Sequence, residues 1–255
     1  MSVILVEKQS PHLTILTLNR PERRNALSIE LLTELLAAIR AAALDANIRI
    51  LVLRGAGAAF CTGLDLKEAQ DQTKAHATAE LVAQTLKALS SSPAVTIAAV
   101  HGAAVAGGAG IMSACDYVVA AERTKFGYPE TRRGLVAGLV MTFLRRQLRE
   151  RDIRELLLGG EIVEAERALA MGLVNRVVPA PEVLPEVLRF ATSVMQGAPG
   201  AATQTKRLLE ELWSTSVETD IELALKHHLQ ARGSSEATEG IAAFNEKRPP
   251  NWSAL

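Results

Sequence analysis

The groups in this chain best placed to do chemistry belong to the main chain. Val95-Thr96-Ile97-Ala98-Ala99-Val100 is a continuous apolar run, partly β-branched and preceded by Pro93, which predicts a short buried strand. Gly102-Ala103-Ala104-Val105-Ala106-Gly107-Gly108-Ala109-Gly110 follows, and Ile111 to Asp116 suits a short helix. A helix starting here leaves its first N–H groups without intrahelical partners. Those groups and the helix dipole favour a negative oxygen in front of them. The oxygen can belong to a phosphate, or to an oxyanion that exists only during a reaction. A Walker loop would end in Gly-Lys-Ser/Thr, whereas this segment ends in Gly108-Ala109-Gly110, and the G-x-G-x-x-G spacing is absent too. The same small residues would also suit a tight strand-to-helix crossing that binds nothing.

The elements that must position this segment follow from the rest of the chain. Residues 3–8 and 12–18 read as strands, the second alternating polar and apolar. Ser28 is a good N-cap for a helix to about Leu44, with Leu31, Leu32, Leu35, Leu36 and Ile39 at helical spacing. Ile48 to Leu53 predicts a core strand, Arg54 to Gly63 a loop, and residues 66–89 a helical stretch, broken near Asp71-Gln72-Thr73. Residues 116–120 and 125–128 predict two more strands. Beyond a loop at 131–137, helices are expected over 138–148, 150–158, 164–171, 182–196, 200–213, 217–231 and 235–246, with one strand-like piece at 173–178. Strands alternating with helices imply a parallel sheet, with ligands at the carboxyl ends of its strands. The loop after strand 48–53 and the glycine segment after strand 95–100 both lie at such ends, so the two are plausible neighbours by topology.

Composition narrows the functional classes. The 255 residues are 48% hydrophobic, enough for a large core. With 28 basic and 28 acidic residues the formal charge is zero, so no nucleic-acid surface is expected. No run of ~18 apolar residues exists, so no membrane span is expected. The N-terminal residues have no leader-like composition, and Cys61 and Cys115 have neither disulfide-framework nor metal-ligand spacing. Free thiols and a cytoplasmic location are the expectation, with Cys115 read as a small core residue.

The ordered motifs along the chain resemble the crotonase, or enoyl-CoA hydratase/isomerase, superfamily. They are Leu18-Asn19-Arg20-Pro21 with Asn25-Ala26-Leu27, then Phe60-Cys61-Thr62-Gly63-Leu64-Asp65-Leu66-Lys67, then Val100-His101-Gly102 through Gly107-Gly108 to Cys115-Asp116. Phe126-Gly127-Tyr128-Pro129-Glu130, Ala168 to Val178, and Glu239 to Arg248 complete the set. The resemblance implies an α/β fold: a spiral of ββα units over residues 1–195, with a helical oligomerisation region over 196–255 that makes trimers, or hexamers as dimers of trimers. It implies an acyl-CoA thioester substrate and no metal or organic cofactor. It places the thioester oxygen on the backbone N–H groups of Leu64 and Gly107. It gives the CoA path to Arg24, Ala26, Leu64, Asp65, Leu66, Lys67 and Gly107, with Arg20 and Arg23 as further phosphate candidates.

One departure bears on the reaction. Hydratases of this superfamily carry two glutamates flanking the substrate double bond. Here the second position is Glu130, while the first falls on Gly110, which has no side chain. A lone carboxylate resembles the pattern of the Δ3,Δ2-enoyl-CoA isomerases, which is slightly favoured on residue chemistry; 2-enoyl-CoA hydration and a non-catalytic acyl-CoA-binding or scaffold role are the alternatives. An RNA-binding role, known in a few relatives, is disfavoured by the zero net charge. Asp65, Glu68, Asp71 and Glu80 follow the oxyanion loop as possible replacements for the missing acid. Asp65 reads as structural, at a helix start; His101 as packed at a strand end; Asp116 as a partner of backbone or arginine donors.

Overall fold

The computed structural model describes residues 2–69 and 71–252. The chain opens with β1 (Ile4–Ser10) and β2 (Leu13–Leu18), an antiparallel pair. Helix α1 (Ile29–Leu44) follows, its N-terminus held by Ser28, whose hydroxyl accepts from the Leu31 N–H at 3.2 Å. Its buried residues include Leu31, Leu32, Leu35, Leu36 and Ile39, the stripe expected from their spacing. Next come β3 (Ile50–Gly55), α2 (Leu66–Ala69) and α3 (Gln72–Ser90). The expected helical stretch at 66–89 is therefore two helices. Asp71 caps the second by accepting from the Thr73 N–H at 3.0 Å, and a residue that caps one helix cannot continue another.

The glycine segment lies within β4 (Val95–Val100), β5 (Ala103–Val105) and α4 (Gly107–Ser113). Then follow β6 (Tyr117–Ala121), β7 (Lys125–Gly127), a 3-10 turn at Thr131–Arg133, α5 (Gly138–Gln147) and α6 (Glu150–Gly159). The remainder is β8 (Ile162–Glu164), α7 (Ala165–Met171), β9 (Arg176–Val178), α8 (Val183–Gln196), α9 (Pro199–Glu211), α10 (Val217–Arg232) and α11 (Ser235–Asn245).

The main sheet has the order β1-β2-β3-β4-β6-β9 and is parallel from β2 onward. A second sheet, β5-β7-β8, runs beside it. After β3, β4 and β6 the chain repeats one move. A main-sheet strand leads to a short piece of the second sheet and then to a helix. The short piece is the Cys61↔Ala104 bridge in the first case, β5 in the second and β7 in the third. These are the repeated ββα units that the resemblance implies.

Strand alternation divides the core. Leu16, Leu18, Leu51, Leu53, Ala98, Val100, Val118 and Ala120 face a cluster with α1, α3, α4 and α5. Leu13, Ile15, Ile50, Val52, Ile97, Ala99, Val119 and Ala121 face Val183, Val187 and Ala191 of α8. The sheet is thus apolar on both faces, as a parallel sheet under helices must be. Helix α10 packs across α3 and α5, and α11 packs against the 131–133 turn and α2. Among the described residues no helix is long and apolar enough to cross a membrane.

Candidate active site

The loop after β3 and the start of α4 meet, as the topology led us to expect. Leu27 forms a parallel bridge with Leu64: its N–H donates to Gly63 O at 2.8 Å and its carbonyl accepts from the Asp65 N–H at 3.0 Å. In that geometry the Leu64 N–H points away from the bridge and is left for another acceptor. Gly107 is the first residue of α4, so its N–H has no partner inside the helix. The two backbones nearly touch. A Cβ built on Gly63 would lie 2.9 Å from the Ala106 Cβ and 3.5 Å from the Gly107 nitrogen, and Gly63 also has φ +89°. Only glycine meets both demands.

Ala106 sits at φ +51°, ψ −127°, a conformation that costs ~1–3 kcal/mol for a residue with a Cβ. Two hydrogen bonds hold it there. Its N–H donates to Gly127 O at 2.8 Å, and its carbonyl accepts from the Gly110 N–H at 2.9 Å. The strain falls at the peptide that carries the Gly107 N–H.

Glu130 closes the Tyr128-Pro129-Glu130 segment and begins the 131–133 turn. It is only 8% exposed, and its Oε2 is buried with no hydrogen-bond partner among the described residues. Burial pushes its carboxyl up to about 7, against the opposing pull of its own backbone N–H and of Arg133. Beneath it the Tyr128 hydroxyl and Ser113 Oγ lie 3.1 Å apart, which fixes the segment against α4.

The space at Gly110 is filled. A Cβ built there would lie 2.3 Å from Val140 Cγ1 and 3.9 Å from Leu86 Cδ2. The wall where a second carboxylate would stand is therefore closed by an aliphatic side chain of α5.

A cavity of about 540 Å³ joins these parts. Arg23, Arg24, Ala26, Leu64, Asp65, Leu66, Lys67, Gly107 and Glu130 all line it. Arg20 does not. Its guanidinium donates to Ala26 O and, at 3.1 Å, to Asp65 Oδ2, with both side chains largely covered. It ties the 20–27 loop to the oxyanion loop and is not left to meet a phosphate. Buried Asn25 staples the same loop: its Nδ2 donates to Ala56 O and Ala59 O, and its Oδ1 accepts from the Arg20 N–H. Asp65 also accepts from the Lys67 N–H, as expected of a helix start.

The other acids lie elsewhere. Glu68 accepts from the Ile29 N–H at the start of α1, and Glu80 pairs with His76 on an exposed face. Asp116 binds the Thr96 N–H, the Thr96 hydroxyl and Lys206. His101 Nε2 meets Gly57 O at 2.8 Å. Cys61 and Cys115 are buried and free, and burial pushes both thiols up to about 12. Among the described residues no cluster of His, Cys, Asp and Glu is arranged to hold a metal. The structure adds lining residues that the sequence did not assign to the site: Lys125, Arg133, Val140, His228, Phe244 and Asn245. They come from β7, the 131–133 turn, α5, α10 and α11, and no local pattern links them.

A main sheet backed by ββα units, with two spare N–H groups over an apolar cleft, defines a crotonase-type protein. The family model for enoyl-CoA hydratase/isomerase matches residues 8–254. The chain is 39% identical over 253 residues to "Putative enoyl-CoA hydratase" of Thermus thermophilus, covering 97% of this chain and 100% of that one. It is 35% identical over 251 residues to "Probable enoyl-CoA hydratase echA8" of Mycobacterium tuberculosis, covering 98% and 97%. The crystal structure of an enoyl-CoA hydratase from Mycobacterium avium superposes with a TM-score of 0.86 at 32% identity, covering 99% of each chain. The chain belongs to the enoyl-CoA hydratase/isomerase family and is an acyl-CoA enzyme of it.

Proposed function

We propose that this enzyme forms a thioester enolate with Glu130 as its one acid/base, and that it moves a double bond from the 3- to the 2-position of an enoyl-CoA. The observation that carries this reading is one buried carboxylate in a cleft whose wall at Gly110 is sealed by Val140. Glu130 takes the proton from C2 of a 3-enoyl thioester. The electron pair moves into the carbonyl, and the enolate oxygen is held by the N–H groups of Leu64 and Gly107. Glu130 then returns the proton at C4, leaving the double bond between C2 and C3. Two donors aimed at the developing oxyanion stabilise it more than the ground-state carbonyl. A carboxyl near 7 is well matched to taking a proton and giving it back.

The CoA moiety runs past Ala26 and the Leu64–Lys67 segment, with Arg24 and Arg23 at its phosphates. The exposed leucines of α9, Leu208 and Leu209, with Leu212 just past its end, supply an apolar face for a homotrimer, alone or paired into a hexamer. The reaction as written draws on no group other than CoA.

Hydration of a 2-enoyl-CoA is the second reading, favoured by the hydratase names of the relatives. It would ask Glu130 alone to hold the water and protonate C2. Purified protein offered crotonyl-CoA and, separately, a 3-enoyl-CoA decides between them through the conjugated thioester absorbance. Gain of absorbance from the 3-enoyl ester alone is expected. Loss with crotonyl-CoA would favour hydration, and no change with either, alongside tight CoA-ester binding, would favour a non-catalytic role.

A further inference from the structure

Arg133 differs from two other covered arginines, Arg146 and Arg20, in its partners. Arg146 is paired with Glu210 and Asp220, and Arg20 with Asp65. Arg133 has no carboxylate at ion-pair distance among the described residues. Its Nε is buried without a partner, and its one hydrogen bond is a long 3.4 Å contact from Nη1 to Pro129 O. Its guanidinium lies 4.4 Å from the centre of the Phe244 ring and lines the cavity. Desolvation already bears on it, holding its pKa below the usual arginine range.

The position is built rather than incidental. The turn that carries Arg133 is pressed onto α11, so that a Cβ on Gly240 would lie 2.4 Å from the Arg133 carbonyl carbon. A Cβ on Gly134 would lie 2.3 Å from Glu236. The main chain at Arg133 is therefore fixed before any ligand arrives. Asn245, whose Nδ2 is also buried and unpartnered, and His228, whose Nδ1 meets Val136 O at 3.3 Å, line the same cavity. Glu130 begins the 3-10 turn and Arg133 ends it, a rise of roughly 6 Å along the backbone. Side chains three apart on a 3-10 turn lie on one face, so Arg133 reaches the same cleft as Glu130.

Resting on the acyl-CoA reading above, we propose that Arg133 binds a second carboxylate at the far end of the acyl group. The substrate class is then the mono-CoA thioester of a short dicarboxylic acid, not a plain fatty acyl-CoA. A planar guanidinium in a cleft shielded from water suits a terminal carboxylate, and pairing would relieve the cost of burying the charge alone.

The test compares binding of two saturated C6 thioesters, adipyl-CoA and hexanoyl-CoA, by titration calorimetry, on the wild type and on Arg133→Met, with circular dichroism to check the fold. Wild type should bind adipyl-CoA roughly 10- to 100-fold more tightly than hexanoyl-CoA. Arg133→Met should lose that preference while binding hexanoyl-CoA as before. Equal or tighter hexanoyl-CoA binding by wild type overturns the proposal. So does an equal loss on both esters, which would put Arg133 on the CoA moiety. Should Arg133→Met fail to fold, Arg133→Gln removes the charge and keeps a polar side chain: loss of the adipyl-CoA preference is expected there too, and a full wild-type preference in that variant overturns the proposal. Binding of neither ester by wild type refutes the acyl-CoA reading itself, and this one with it.

Discussion

The cleft has two walls built on opposite principles. One is made of main chain: Leu64 and Gly107 offer N–H groups, and their side chains matter little. The other is made of side chains: Glu130 stands on one element, and Val140 fills the space beside Gly110 from another. The first wall is held by hydrogen bonds and glycine geometry and has little freedom to vary. The second is held by packing, so exchange of one or two side chains can change its chemistry while the first wall stays intact. Conserving the oxyanion wall and varying the acid wall is a route by which one fold can serve several reactions on thioester enolates.

The sharpest break in this comparison is Glu130→Gln. It is nearly isosteric and keeps the polar surface but cannot accept a proton. We expect turnover to fall by about 10³-fold or more with CoA-ester binding nearly unchanged. In the unaltered enzyme, kcat/KM should rise with pH through about 7, because the base must be ionised in the free enzyme. A flat profile from pH 5.5 to 8.5, with proton transfer shown to limit the rate, would count against Glu130 as the base.

The main-chain wall is broken by Gly107→Pro. Proline is tolerated at the first position of a helix, so α4 should persist while its leading N–H is lost. Loss of one oxyanion donor should lower kcat by about 10²–10³-fold. An unchanged rate in a folded variant would remove Gly107 from the site.

Glu130 also marks where the site costs stability. Its carboxyl is raised in the folded protein from 4.5 to about 7. The unfolded chain therefore gives up this proton at lower pH than the folded one. The contribution is fully present below about 4.5 and is lost as pH rises through about 7, reaching about 3 kcal/mol. Glu130→Gln should accordingly melt several degrees higher than the wild type at pH 8 and about equally at pH 4. Equal midpoints at both pH values would mean that the buried carboxylate costs nothing, and its raised pKa would be wrong.

The two walls also differ in how well a sequence can announce them. The main-chain wall was legible because its parts are local: glycine spacing after a strand dictates where N–H groups stand, and Ser28 and the leucine stripe of α1 dictate the neighbouring helix. Strands β5 and β8, of three residues each, are too short for their own period to show, and the sequence predicts no strand at 103–105 or 162–164. Arg20 illustrates the limit for side chains. Beside Arg23 and Arg24 it looked free for a phosphate, but Asp65, 45 positions later, neutralises it. Val140, Arg133, His228 and Asn245 reach the cavity only through the packing of α5, α10 and α11, a relation that no window of sequence holds. Gly110 was visible as a missing acid, but that its place is sealed was not.

That seal gives the most informative test of how freely the acid wall can vary. Gly110→Glu alone puts a Cβ 2.3 Å from Val140 Cγ1. Helix propensity would favour the change by about 0.5–1 kcal/mol, but overpacking of this kind costs about 1–3 kcal/mol, so the net should be a lower melting temperature. Val140→Ala in the same chain removes the offending methyl and leaves the new Cβ an ordinary 3.5 Å from the Cβ of residue 140. The double variant should regain much of the lost stability. It should also gain hydration of crotonyl-CoA relative to wild type, since two carboxylates can then hold one water between them. If Gly110→Glu alone melts at the wild-type temperature, Val140 does not close the wall. If the double variant folds and gains no hydration, the missing glutamate is not what sets the reaction. Its direction must then lie in how Glu130 and the acyl chain are aligned.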